Sequence, residues 1–298
     1  MFGMKFQRAT SPLPLFFVRR GVPAIALSLL ALMFAGCDNP IDTAYHEQIV
    51  VAGFLIEGQP IDSIVLHRLT PFGSYYDDLD YAVDSATVTV TVDGVPHTLQ
   101  RGAIKGRYYL PASELVLQGG KEYDLTITAP DWQTGGMQTL SANTIVPMPI
   151  HYSALADSVR GKTLILDTNN LSTFAFVVTA DPVAPEPNNR YLMTATARDT
   201  TFGRIREKRA GPDSLQVTKY SNIQTGPAIA LTARLFNWYG PNTISFYSID
   251  TNWTDYQRQL QNTGNTTYQS TLNHVQGGMG VFASGARDTV TVWIMPKQ

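Results

Sequence analysis

Cysteine is nearly absent: Cys37 is the only one in 298 residues. No disulfide forms within such a chain, so packing alone must stabilise the fold even in an oxidising compartment. Charge is sparse and almost balanced, with 22 Lys plus Arg against 24 Asp plus Glu. That balance argues against nucleic acid or anionic lipid surfaces as partners. No apolar run reaches the roughly 20 residues of a permanent transmembrane helix. The five histidines, His46, His67, His97, His151 and His274, show no HxxxH or HxH spacing, and no zinc set is legible. A Gly-x-Ser-x-Gly elbow and a Ser-x-x-Lys pair are missing as well, although a Ser–His–Asp set that converges only in space leaves no sequence signature.

What is present begins with a tripartite start. Lys5, Arg8, Arg19 and Arg20 make the first 36 residues basic and acid-free, Gly21 to Phe34 is uncharged and mostly apolar, and Ala35-Gly36 are small. This is the order of a secretory signal peptide. Leu32-Met33-Phe34-Ala35-Gly36-Cys37 resembles a lipobox, the cleavage signal of bacterial lipoproteins, with Phe34 where Leu is usual. The expectation is a lipoprotein signal over 1–36 and a lipidated tether over 37–45, with Cys37 carrying the acyl chains. An ordinary signal peptide followed by an incidental thiol, or a buried helix, are the alternatives. Acylation stabilises membrane attachment by about 0.8 kcal/mol per buried CH₂. Removal of 1–36 leaves 262 residues; Lys plus Arg falls by four, from 22 to 18, and the formal charge moves from −2 to −6. The tether from Asp38 to Tyr45 reaches about 27 Å when extended, which keeps the globular part near a membrane.

Beyond it the pattern is β. Ile49 to Ile56 is apolar on both parities, as in a strand covered on both faces. "SATVTVTVDGVPHTL" alternates, with Val88, Val90 and Val92 on one face, and Asp93-Gly94 supplies a tight hairpin turn. In "GKEYDLTI", Tyr123, Leu125 and Ile127 face inward. Two prolines in "TIVPMPIHY" suggest a division into an N-terminal sandwich over 46–146 and a second β-rich domain over 147–298. In the latter, strands are expected at Phe174–Ala180, Tyr191–Arg198, Ile229–Phe236, Ile244–Asp250 and Thr289–Met295, with a polar excursion over 199–227. One short helix is expected at "NWTDYQRQLQN", with Trp253, Tyr256 and Leu260 on one face and Thr254 or Asp255 as cap.

Together with the lipobox, "VVAGFL", "SATVTVTVDG", "GKEYDLTI", "IVPMPI" and above all "HVQGGMGVFASGA" resemble an uncharacterised family of Bacteroidota-type envelope lipoproteins, domain of unknown function 4249. His274 and Ala283 stand where that family usually has Asn and Gly. The resemblance implies an outer-membrane lipoprotein, an immunoglobulin- or transthyretin-like N-terminal sandwich and a neighbouring outer-membrane transporter. It brings no catalytic residues and no cofactor.

Several constellations invite a chemical reading. Asp77, Asp78, Asp80 and Asp84 offer hard oxygens at loop spacing, as calcium requires, although the glycine of a helix–loop–helix site is missing. Tyr75, Tyr76 and Tyr81 flank them and are candidates for stacking on a sugar or a partner. His274 adjoins the glycine run and is a further binding candidate. The glycines of "GGMGVF" precede a strand, not a helix, so close backbone approach is expected and not phosphate binding. The basic run Arg204 to Arg209 reads as a solvated edge. The functional expectation is a non-catalytic binding or accessory module beside an outer-membrane transporter. A loop-built hydrolase, glycan-processing or otherwise, and a structural or adhesive surface protein are the alternatives. Asp38 leaves the choice of inner or outer membrane open.

Overall fold

The computed structural model describes residues 47–70, 79–151, 163–166, 176–179, 181–182, 190–205, 216–226, 228–261 and 273–297. Before the proline pair the strands are β1 (Ile49–Ile56), β2 (Ile61–Arg68), β3 (Thr87–Val92), β4 (Val95–Thr98), β5 (Gln100–Arg101), β6 (Arg107–Leu110), β7 (Glu122–Pro130) and β8 (Met137–Ile145). After it come β9 (Ile150–His151), β10 (Thr163–Leu166), β11 (Phe176–Thr179), β12 (Asp181–Pro182), β13 (Arg190–Ala197), β14 (Thr218–Tyr220), β15 (Ala228–Leu231), β16 (Gly240–Ile249) and β17 (Met279–Pro296). One helix, α1 (Thr251–Gln261), lies between β16 and β17.

Alternation settles which faces are buried. Val88 and Val90 of β3, and Tyr123, Leu125 and Ile127 of β7, are almost fully buried. Asp93 and Gly94 take φ of 51° and 77° and close the β3–β4 hairpin as expected. The four-stranded sheet β4-β3-β7-β8 packs these side chains against Ile49, Val51 and Leu55 of β1, Ile64 and Leu66 of β2, and Tyr108 and Leu110 of β6. The N-terminal half is thus a two-sheet sandwich, and the protein as a whole is mainly β.

Its second sheet does not stop there. It has nine strands in the order β14-β13-β16-β17-β1-β2-β6-β5, with β10 also on β17. The 18-residue β17 is its spine: Met279–Gly285 pairs in parallel with β1, and Gly285–Ile294 pairs antiparallel with β16. A strand was expected only at 289–295; the pairing partners on both sides extend it back through the glycine run. Phe282 joins the sandwich core, whereas Val290, Val292 and Ile294 join a second core with Met193, Ile244 and Phe246. The two cores fall largely on either side of residue 147, while the sheet runs through both and residues 46–298 cluster as one unit.

Two expectations differ at element ends. Ile229–Phe236 is a strand only to Leu231 and then turns through a 3₁₀ segment at Ala233–Leu235. The cap of α1 is Asp250, whose Oδ1 accepts the Trp253 amide at 2.8 Å, and not Thr254 or Asp255. The capping side chain must precede the first helical residue, and both of those lie inside the helix. Among the described residues no helix is long and apolar enough to cross a membrane.

Candidate functional site

Four strands of the large sheet turn one face to the core and the other toward a groove, on which side Leu192, Thr194 and Ser245 are themselves buried. On β13, Tyr191, Met193 and Ala195 enter the core, which turns Leu192, Thr194 and Thr196 to the opposite side. The same parity turns out Thr243, Ser245 and Tyr247 of β16, and Arg287, Thr289 and Thr291 of β17. Register places these groups in rows across the strands. Thr218, Thr196, Thr243 and Thr291 form one row; Tyr220, Thr194, Ser245 and Thr289 form the next; Leu192, Tyr247 and Arg287 form a third. Thr196 and Thr218 join through their hydroxyls at 2.9 Å. The outcome is a floor of hydroxyl groups on a sheet whose other face is apolar.

An open groove of about 1090 Å³ lies over this floor. Its wall is Phe54 of β1 with Trp253, Tyr256, Gln257 and Leu260 of α1. Phe54 and Trp253 pack with ring centroids 4.9 Å apart, Phe54 and Tyr256 at 5.7 Å, and Tyr247 and Trp253 at 5.6 Å. Aromatic pairs in this range hold one another in place. Burial pushes the Tyr256 phenol above its ordinary value, and nearby Tyr220 adds to the effect. Tyr220 itself is 56% exposed and presents an open ring at the groove. The apolar second parity of β1 finds its explanation here: Ala52, Phe54 and Ile56 pack against the cluster under α1.

A buried polar cluster fixes the helix against the sheet. Asp250, 9% exposed, ends β16 and caps α1. Its Oδ2 lies 2.5 Å from Thr144 Oγ1, which lies 2.6 Å from Ser284 Oγ, and Ser284 donates to the Ile145 carbonyl at 2.9 Å. Asn252 donates to the carbonyls of Asn143 and Phe282 at 2.7 and 2.9 Å. Desolvation holds the Asp250 carboxyl above its ordinary value, against the opposing hydrogen bonds from Thr144, the Trp253 amide and Ser284. Each hydroxyl has one proton to donate. The three short oxygen contacts close with one hydrogen each when Oδ2 is protonated and donates to Thr144. An ionised Asp250 leaves one contact without a hydrogen.

Of the binding and metal candidates singled out in the sequence, those that are described do not line the groove. Cys37, Tyr75, Tyr76, Asp77 and Asp78 lie outside the described residues. Asp84 bonds to the Arg101 guanidinium, which holds its carboxyl below the ordinary value with help from the Gly106 amide. Asp80 accepts from Arg68 through its backbone carbonyl at 2.9 Å, and the Arg68 guanidinium lies over the Tyr81 ring, 5.5 Å from its centroid. Among the described residues no three potential metal ligands cluster. Chelation with EDTA is expected to leave the melting temperature unchanged; a chelator-dependent fall would show a cation bound. His274 does not reach the groove floor: its Nε2 lies 2.9 Å from Asp255, which also accepts from Arg258 at 3.2 Å. It ties α1 to the segment entering β17. Ser284 meets Asp250 and His274 meets Asp255, in separate pairs, so these four residues do not make a Ser–His–Asp set.

The groove residues Thr194, Thr196, Thr243, Ser245 and Arg287 carry no sequence motif. The signal present was the polar parity of "YLMTATAR", "NTISFYS" and "RDTVTV", which marks one wet face per strand but not that the wet faces meet. Comparison with known proteins adds a family and little more. None of the curated proteins matches the sequence. Among solved structures, the crystal structure of Drosophila N-cadherin EC1-4 aligns at 12% identity and a TM-score of 0.23. That alignment covers 84% of this chain and 50% of the cadherin chain, so the chain spans half its length, and so low a likeness carries no argument. The sequence matches the family described as Domain of unknown function (DUF4249) over residues 38–291, and the chain belongs to that family.

Proposed function

We propose that this protein is an envelope lipoprotein anchored through Cys37, probing its surroundings as a non-catalytic binding module beside an outer-membrane transporter. The observation that carries the binding role is the groove of about 1090 Å³ between the hydroxyl floor and the aromatic wall of α1. Its wall is held by ring packing and by the Asp250 cap, so the shape exists before a ligand arrives and little ordering entropy opposes binding. The charged side chains that the described residues bring to it are Arg198 and Arg287. Arginine stays protonated, whereas general acid–base chemistry uses a group that titrates near the working pH.

A thermal-shift panel of neutral, anionic and cationic saccharides and peptides tests the groove. At 100 times its Kd a ligand stabilises by about 2.7 kcal/mol, which corresponds to roughly 5–10 °C for a chain of this size. One class is expected to raise the melting temperature of the wild type but not of Thr196→Trp or Thr243→Trp, each of which fills the floor. A ligand that stabilises all three equally would place binding elsewhere. The anchor rests on the basic start, the short apolar run and the residues before Cys37. Cys37→Ala is expected to abolish acyl labelling and release the protein from membranes; a membrane-retained variant would overturn the lipid anchor. Crosslinking in intact envelopes is expected to join the protein to an outer-membrane transporter, and failure under every growth condition would remove that partner.

A further inference from the structure

We infer that the groove selects an acidic oligosaccharide, a linear sugar chain carrying carboxylate or sulfate groups. The inference rests on the reading of the groove as a binding site and names its ligand class. Charge is the first argument. Arg198 and Arg287 are both exposed, and neither has an ion pair or side-chain hydrogen bond among the described residues. The described lining has no carboxylate, although the chain as a whole is net acidic. The acids adjacent in sequence are engaged locally: Asp199 accepts from the amide and hydroxyl of Thr201, and Asp288 accepts from the Thr289 amide. The Asp255 carboxylate on α1 is taken up by His274 and Arg258. Two free guanidinium forks are left facing the groove, a geometry that holds carboxylate or sulfate through paired hydrogen bonds.

Spacing is the second argument. Arg287 is in register with Tyr247 and Leu192, whereas Arg198 lies six residues further along the β13 direction. At the rise of a strand this separates the two backbones by about 20 Å. One monosaccharide cannot meet both, but an extended chain with repeated acidic groups can. Between the arginines lie the hydroxyl rows, and each hydroxyl both donates and accepts, as sugar hydroxyls do. The exposed Tyr220 ring adds an apolar face with a polar tip, suited to the C–H face of a sugar ring. A peptide is a poorer occupant. The floor is a sheet face whose main-chain groups are spent in the β13–β16–β17 ladders, and extended peptides gain their main-chain hydrogen bonds at a sheet edge.

Calorimetric titration of the mature chain with an oligogalacturonate, a neutral oligosaccharide of equal length and an oligoglutamate tests the assignment. The oligogalacturonate is expected to bind at least tenfold more tightly than the other two, and more weakly as salt is raised. Arg198→Ala and Arg287→Ala are each expected to weaken it about tenfold or more, with Arg287→Lys recovering only part. Both arginines are exposed, so unchanged melting temperatures would show that the variants fold. Equal binding of the neutral sugar, or arginine variants that bind like wild type, would overturn charge selection and leave the groove as a binding site. Tighter binding of oligoglutamate would overturn the sugar assignment, as would no binding of any of the three. Oligogalacturonate bound equally by Thr243→Trp would overturn both this assignment and the binding role of the groove.

Discussion

Gly280→Ala is expected to cost more than about 4 kcal/mol, the exceptional end of single substitutions and most of the stability of a marginal fold. Gly280 takes φ of +112°, a backbone region that L side chains rarely adopt. A Cβ there would lie 2.0 Å from the Val51 carbonyl oxygen and 2.8 Å from the Val51 nitrogen. Both contacts are backbone, so no rotamer change relieves them; β1 must move away from β17. Val51 and Gly280 are direct partners in the parallel pairing that runs from Val50↔Met279 to Ile56↔Gly285, which is where the two halves of the chain share one sheet. Gly94→Ala is the control. Its φ is +77° with nothing within 4 Å of the added carbon, so its cost is the backbone term alone, about 1–2 kcal/mol. Urea denaturation of both variants decides the matter. Equal losses at the two positions would mean that the β1–β17 approach is not what the glycine serves.

The contrast between these glycines shows where the sequence is legible. Asp93-Gly94 sits between alternating valines and threonines, and the turn it makes depends on its immediate neighbours, so the hairpin could be read from six residues. "GGMGVF" could be read as a place of close approach, but not the identity of what approaches, since Val51 lies more than two hundred positions earlier. The same limit applies to the groove. Thr194 and Thr196 announce a wet face of β13, and Thr243 and Ser245 a wet face of β16, each by parity alone. That these faces join into one floor depends on strand order, which is set by long-range pairing. The acidic loop is legible only as a dense local cluster; of its carboxylates, Asp84 is engaged by Arg101 and the Gly106 amide. The helix cap was misplaced because Thr254 and Asp255 are polar and near the helix start, while Asp250 reads as the end of a strand.

Asp250 carries the second large effect, and its two substitutions should behave differently. Asp250→Ala removes the cap of α1, leaves the Trp253 amide without its partner and takes from the Thr144 hydroxyl one of its two contacts, at an expected cost of about 2–4 kcal/mol. Asp250→Asn keeps an acceptor for the Trp253 amide and places an N–H donor where a protonated Oδ2 would donate to Thr144. If the carboxyl is neutral in the folded protein, the amide replaces it with a loss of at most about 1 kcal/mol at pH 7. The pH profile then follows from linkage. Burial raises the folded-state pKa above the ordinary 3.8, so the unfolded chain ionises this carboxyl first as pH rises. The stability it contributes is full below 3.8 and is lost as pH climbs through the raised value, beyond which it is constant. Asn does not titrate, so the wild type should gain on Asp250→Asn as pH falls from 7 toward 4. Denaturant titrations across that range measure the difference directly. Parallel profiles would show that Asp250 ionises alike in both states. An Asn variant as damaged as the Ala variant would show that the cap requires a charged carboxylate, and the proton would then have to leave the chain that joins Asp250, Thr144, Ser284 and Ile145.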